Sequence, residues 1–213
     1  MYYIVKFIVR IALSIAYNLH YEGRENVPEG VPVIYASNHR SNADPPLVGV
    51  GARGKHAFMA KEELFRNPVF GWLIRSLGAF PVARGKGDTG VIDTAVERLS
   101  SGRSLMIFPE GTRSKDGKVH RGHSGAALIA AKSGVPVIPV GVCFGEKLRF
   151  RTRITVKYGK PIYPADYVDS QEEPNPRQLT RLKNRYMADI KTLVEGEPAL
   201  LETAAEDNGE NAK

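Results

Sequence analysis

The chain has 213 residues, 42% of them hydrophobic, enough for one sizeable core, with no fixed-period repeat and no Pro/Gly/Ser-rich stretch dividing its middle. Its formal net charge of +7 points toward anionic partners: phosphorylated small molecules, a membrane surface or nucleic acid. The single cysteine, Cys143 within the apolar run "VPVIPVGVCF", excludes an intramolecular disulfide and reads as a buried structural thiol.

The first segment, residues 1–21, is "MYYIVKFIVRIALSIAYNLHY". A membrane-spanning helix wants about 20 mostly apolar residues, and Lys6 and Arg10 interrupt this one. A secretory signal fits poorly, because the charges lie within the apolar run and no small-x-small site follows. Lys6, Arg10, Ser14 and Asn18 recur every fourth residue, a narrow polar stripe on an otherwise apolar helix. That pattern predicts an amphipathic helix in the membrane interface, cations toward the headgroups and apolar face in acyl chains. Two alternatives stay open: the wide apolar face packs on its own domain, or a short single-pass helix forms.

Residues 22–195 read as one α/β domain. "GVPVIYASN" (30–38) is a short apolar run bounded by turn residues, hence a buried strand. "LVGVGARG" is a weak helix, "HAFMA" (56–60) a second strand, and "KEELFRNPVFGWLIRSLG" a helical pattern interrupted by Pro68. "AFPVAR" (79–84) is a strand, "VIDTAVERLSSG" an amphipathic helix, and "SLMIFPEGTRS" a strand running into a turn. "HSGAALIAAKSG" predicts a closely packed helix of small residues, and "VPVIPVGVCF" and "RITVKYGKPIY" two further strands. The last helix, "PRQLTRLKNRYMADIKTLVEG", carries Leu179, Leu182, Tyr186, Ile190 and Leu193 on one face. Strands alternating with helices predict a largely parallel central sheet flanked by helices. Residues 196–213, polar, mostly acidic and aperiodic, read as a disordered tail.

In such folds the reactive loops gather where strands end, and "SNHRSNADPP" (37–46) stands at one such end. His39 and Asp44 are five apart. On a continuous helix they would point roughly 140° away from each other, and on a strand to opposite faces. They meet only if the chain turns between them. "NHRSN" is loop-like, and Asp44 before Pro45 suits a helix N-cap, so the carboxylate can fold back on the imidazole. This would be the base-and-orienter half of a catalytic triad with no serine attached, so the substrate must supply the hydroxyl. An N-cap beside an unrelated histidine is the structural alternative. "HRGH" (120–123) has no recognised metal spacing, and no metal is expected.

Further cations stand at other predicted strand ends: Lys61 opening "KEEL", Arg84 in "GAFPVARG" and Arg113 in "FPEGTRS". Gly111 permits close backbone approach, Thr112 offers a hydroxyl, and Arg113 a planar fork that matches phosphate. "NHRSNADP" resembles the NHx4D signature of the glycerolipid acyltransferases, the family of bacterial 1-acylglycerol-3-phosphate acyltransferases. "GAFPVARG" resembles the family's second motif, "FPEGTRS" its third and "VPVIPVGV" its fourth, in family order across residues 37–142.

The resemblance implies His39 as general base and Asp44 as its orienting partner. It places Glu110, Gly111, Thr112 and Arg113 in the motif that handles the acceptor's phosphate and glycerol, with Arg84 and Lys61 also facing phosphate. The second motif departs from the family pattern, with Val82-Ala83 where a hydroxyl or acidic residue often precedes the arginine, so the acceptor's identity stays open. The implied partners are lysophosphatidic acid, an acyl-carrier-protein or CoA thioester as co-substrate rather than a bound cofactor, and the cytoplasmic face of the cell membrane. Basic residues are dispersed without aromatic interleaving, so nucleic acid is not expected. A non-catalytic phospholipid binder would need the cations without the His/Asp pair, and a hydrolase would use water in place of the alcohol.

Overall fold

Apolar runs flanked by Gly and Pro form strands because their side chains fill both faces of a pleated layer. The computed structural model describes residues 1–82, 89–169 and 173–196. Its strands are β1 (Asn18–Glu22), β2 (Ile34–Ser37), β3 (His56–Lys61), β4 (Ala79–Val82), β5 (Ser104–Ile107), β6 (Val137–Cys143) and β7 (Arg153–Tyr158). They lie side by side in the order β1-β7-β6-β2-β5-β3-β4. From β6 to β4 all neighbours are parallel, β7 joins β6 antiparallel, and β1 joins β7 parallel. The expected tail falls almost wholly on residues 197–213, outside the described residues.

The helices are α1 (Tyr2–Ala16), α2 (Asp44–Gly51), α3 (Pro68–Ser76), α4 (Thr89–Ser100), α5 (Gly125–Ser133) and α6 (Pro176–Glu195). Side chains alternate across each strand, so the sheet feeds two cores. Ile34, Ala57, Leu105 and Val137 pack against α4, α5 and α6. Tyr35, Met106, Ile138 and Val156 pack against α2 and Leu13 of α1. On that second face Ile74 of α3 joins Ala60 and Ala79, with Phe58 shared between the clusters. The result is the α/β architecture read from the sequence, three layers with the parallel strand ends exposed at one edge. α6 starts on a capping box: Asn175 accepts from the backbone N–H of Gln178, whose side chain accepts from the N–H of Asn175.

The N-terminal segment departs from the expected single helix over 1–21. α1 ends at Ala16, Tyr17 is extended, and Asn18–Glu22 forms β1 at the sheet edge, in register from Asn18↔Arg153 to Glu22↔Lys157. Leu19 and Tyr21 join the core, and ladder bonds to β7 replace the helical ones. Of the polar stripe, Arg10, Ser14 and Asn18 are exposed, but Lys6 departs from expectation. Lys6 turns inward, and its ammonium donates to the carbonyl of Ala52 at 2.7 Å, just past the end of α2. There the unpaired carbonyls of the last helical turn favour a cation. α1 also exposes an apolar flank, including Ile4, Phe7, Ile8 and Ile15.

Lys6 also lies 3.3 Å from Nε2 of His56, a buried residue whose backbone N–H donates to the Tyr2 hydroxyl. Burial, and then the Lys6 charge, hold the His56 imidazole down to about 3, from an ordinary 6.5. Between those two pH values the unfolded chain binds a proton that the folded chain refuses. Stability is therefore expected to fall as pH drops from 6.5 toward 3, by up to about 1.4 kcal/mol per pH unit. Denaturation midpoints between neutral and acidic pH measure the slope. His56→Gln should flatten it, and an unchanged slope would assign it to other groups.

Candidate active site

β2 stops at Ser37, but its pairing with β6 continues through a side chain. Asn38 donates from Nδ2 to the carbonyl of Val142 at 3.1 Å and accepts from the Val142 N–H at 2.7 Å. The amide stands in for backbone, which frees the main chain to turn at the next residue. His39 is then clamped from the loop after β5: its N–H donates to Oε1 of Glu110 at 3.0 Å, and its carbonyl accepts from the Ser114 N–H at 2.7 Å. The imidazole stacks on Phe108, with ring centroids 4.3 Å apart and planes at 27°.

Asp44 folds back onto this ring. Its Oδ2 lies 2.9 Å from His39 Nδ1 and accepts from the N–H groups of Arg40 at 2.6 Å and Ser41 at 2.7 Å. An oxygen that receives two backbone donors meets the imidazole as an acceptor, so in the neutral ring Nδ1 carries the hydrogen and Nε2 keeps its lone pair. Among the described residues Nε2 has no hydrogen-bond partner, while the ring keeps 14% of its surface exposed. Asp44 itself has none exposed. It is the first residue of α2 rather than the cap, a position taken by Ala43. Pro45 and Pro46 have no N–H for a capping carboxylate, which leaves the side chain to bond upstream.

The other expected site residues divide. Glu110 is 6% exposed, and its second oxygen accepts from the His120 N–H at 3.0 Å. It is buried, with a backbone donor on each oxygen, and borders the depression beside Arg113. It ties the turn after β5 to His39. Gly111 adopts φ 70°, the left-handed region glycine tolerates, and a Cβ there would meet the His123 ring at 3.2 Å. Thr112 and Arg113 are exposed, and with Glu110, Ser114, Lys115, Asp116 and His120 they line a depression of about 370 Å³. The Asp116 carboxylate is held well below the usual range by the His120 ring at 2.8 Å, the Ser114 hydroxyl and the Lys118 N–H. Among the described residues Arg113 and Lys115 form no ion pair. Lys61 closes β3, exposed, on the same sheet edge and two strands from β2, roughly 10 Å by strand spacing. Arg84 lies outside the described residues.

Sequence reasoning did not identify Asn38, Phe108 or Arg40 as parts of the site. Arg40 is a cation beside the imidazole, yet its guanidinium donates to the carbonyls of Phe144 at 2.7 Å and Gly145 at 3.0 Å and lies 4.1 Å over the Phe144 ring. It braces the loop after β6 instead of facing the depression. The available signal for Phe108 was its place, directly after a buried strand and before Pro-Glu-Gly.

The acyltransferase family model matches residues 18–143, which include both halves of this site. The chloroplastic 1-acyl-sn-glycerol-3-phosphate acyltransferase of Arabidopsis thaliana is 36% identical over 143 residues, 65% of this chain and 40% of that protein. The chain thus spans less than half the length of that relative. The 1-acyl-sn-glycerol-3-phosphate acyltransferase of Streptococcus pneumoniae is 34% identical over 200 residues, covering 91% of this chain and 72% of the relative. The crystal structure of the 1-acyl-sn-glycerophosphate acyltransferase of Thermotoga maritima superposes with a TM-score of 0.71 at 28% identity, over 89% of this chain and 78% of that one. An imidazole steadied by a buried carboxylate at the end of a parallel strand, within a sequence matched along more than half its length, makes the chain a member of the acyltransferase family.

Proposed function

We propose that the chain moves a fatty acyl group from an acyl-carrier-protein or CoA thioester to the sn-2 hydroxyl of 1-acyl-sn-glycerol-3-phosphate, giving phosphatidic acid. The observation that carries this reading is His39 Nε2: a lone pair oriented by Asp44 through Nδ1 and open at the rim. The acceptor's phosphate sits in the depression at Arg113, with Thr112 and the backbone at Gly111 beside it and Lys61 on the same sheet edge; for Arg84 only the family resemblance supports a phosphate role. Nε2 takes the hydroxyl proton as the oxygen attacks the thioester carbonyl. The tetrahedral oxyanion draws on backbone N–H groups at the strand ends. Collapse breaks the C–S bond, and the imidazolium returns its proton to the departing thiolate. The products are an ester and a thiol, and the thioester and alcohol supply every atom exchanged.

The names of the two sequence relatives support the acceptor class. No helix among the described residues is long and apolar enough to cross a membrane. The outward apolar flank of α1 supports a peripheral or monotopic seat on the cytoplasmic face of the cell membrane, where both lipid substrate and thioester are within reach.

The test is mass spectrometry of products from mixed lysolipids and thioester donors dispersed in detergent, with free thiol counted. Phosphatidic acid and thiol should rise one to one. Free fatty acid in place of ester would make the chain a hydrolase, and an unconsumed thioester would leave only lipid binding. Arg113→Ala should raise the Michaelis constant for the phosphorylated acceptor about tenfold or more with turnover little changed, the effect of losing charge-assisted hydrogen bonds formed alike in ground and transition states. An unchanged constant would remove Arg113 from the phosphate site.

A further inference from the structure

The helices on one layer of this molecule expose large apolar side chains and those on the other do not. Among the described residues, α4, α5 and α6 expose none. On the opposite layer α1 does, and so does the stretch beside it: Leu64 in the turn before α3 is 44% exposed, Val69 76%, Phe70 44% and Trp72 55%. α3 buries Ile74 against Ala60 and Ala79 and packs next to α1, so the two outward flanks adjoin. A further exposed residue, Phe150 at 75%, stands at the far end of α1, where the Arg151 N–H donates to the carbonyl of Ala16.

Charge follows the same pattern. Phe150 lies between Arg149 and Arg151, with Lys147 and Arg153 nearby, and the Arg151 guanidinium reaches the Ser14 carbonyl at the end of α1. Exposed Arg66 and Arg75 bracket α3, with the Arg75 guanidinium 4.7 Å from the Phe65 ring. Aromatic and aliphatic groups flanked by arginine match an anionic bilayer, with apolar side chains at acyl depth and guanidinium groups among phosphates. A protein partner would present fixed carboxylates to particular arginines. Here the cations flank the apolar area at both α3 and the loop 147–153, with Glu62, Glu63 and Glu146 as exposed carboxylates at its rim.

We infer that α3 and the loop 147–153 join α1 in a single face seated on an anionic bilayer. α1 sets the orientation. Its first turn meets the start of β3 through Tyr2 and His56, and its last turn meets the chain entering β7. It therefore runs the length of the strands, from their N-terminal edge to the edge that bears His39. A bilayer against this face keeps the strands parallel to its plane and brings the His39 edge level with the headgroups. The inference rests on the membrane reading of α1 and extends it.

Trp72 is the single tryptophan of the chain, so its fluorescence reports on α3 without substitution. The full chain is mixed with phosphatidylglycerol vesicles and with phosphatidylcholine vesicles, and sedimentation and emission are read together. With anionic vesicles the emission should shift to the blue and be quenched by lipids brominated on the acyl chain, more than with neutral ones. Phe150→Ser should lower partitioning about tenfold at an unchanged melting temperature. Sedimentation with unquenched Trp72 would overturn the inference and leave α1 as the anchor. Unaltered partitioning of Phe150→Ser would remove the loop from the face. No sedimentation at all would overturn both membrane readings, while acyl transfer in detergent would still decide the reaction.

Discussion

His39→Ala is expected to lower acyl transfer by about 10²–10⁴-fold, the range a positioned general base contributes, with the chain still folded. The ring is partly exposed, and besides Asp44 it stacks on the half-buried Phe108, so the stability loss should be about 0.5–1.5 kcal/mol. The Michaelis constant for the acceptor should barely move, since Arg113 lies on another loop. Asp44→Asn is the companion experiment. Oδ2 is pinned by two backbone N–H groups, so an amide oxygen takes its place and still accepts from Nδ1. The tautomer survives, and what disappears is the negative charge that stabilises the imidazolium in the transition state. Turnover should therefore fall in Asp44→Asn by less than in His39→Ala. Transfer by His39→Ala at near wild-type rate would remove the base. A greater loss in Asp44→Asn than in His39→Ala would mean that Asp44 does more than orient and stabilise the ring.

The apolar runs were legible because a strand buried on both faces leaves a continuous hydrophobic word, as "VPVIPVGV" does for β6, and α6 because its stripe repeats over twenty residues. The turn joining His39 to Asp44 was legible too, because loop residues and two prolines within ten positions leave few geometries open. β1 was not. Only Leu19 and Tyr21 alternate there, and Asn18 falls on the helical stripe by spacing alone, so a short helical window absorbs a strand whose partner lies about 135 residues downstream. The orientation of α1 was equally hidden. Lys6 faces inward because the end of α2 offers it carbonyls, a relation 46 residues away that no local period records. Glu110 is legible as a motif residue, but its structural bonds are not. Its burial and its bond to a backbone N–H 71 residues earlier emerge only when β2 and β5 lie side by side.

Glu110→Gln should impair catalysis without weakening acceptor binding. The substitution keeps volume and one oxygen, but it sets an NH₂ against either the His39 or the His120 backbone N–H, two donors facing each other. A buried N–H without an acceptor costs about 1–3 kcal/mol, which for a chain of this size lowers the melting temperature by several degrees, about 2–4 °C per kcal/mol. The same loss loosens the clamp on His39, and a base displaced by a fraction of an ångström transfers protons less well. The expected signature is a lower turnover, a lower melting temperature and an unchanged Michaelis constant for the acceptor, opposite in pattern to Arg113→Ala. The signature of substrate contact would be a raised constant at full turnover and full stability. Glu110→Ala separates the two further, because it removes both acceptors: its destabilisation should exceed that of Glu110→Gln, whereas a residue that only touched the acceptor would leave the melting temperature where it was.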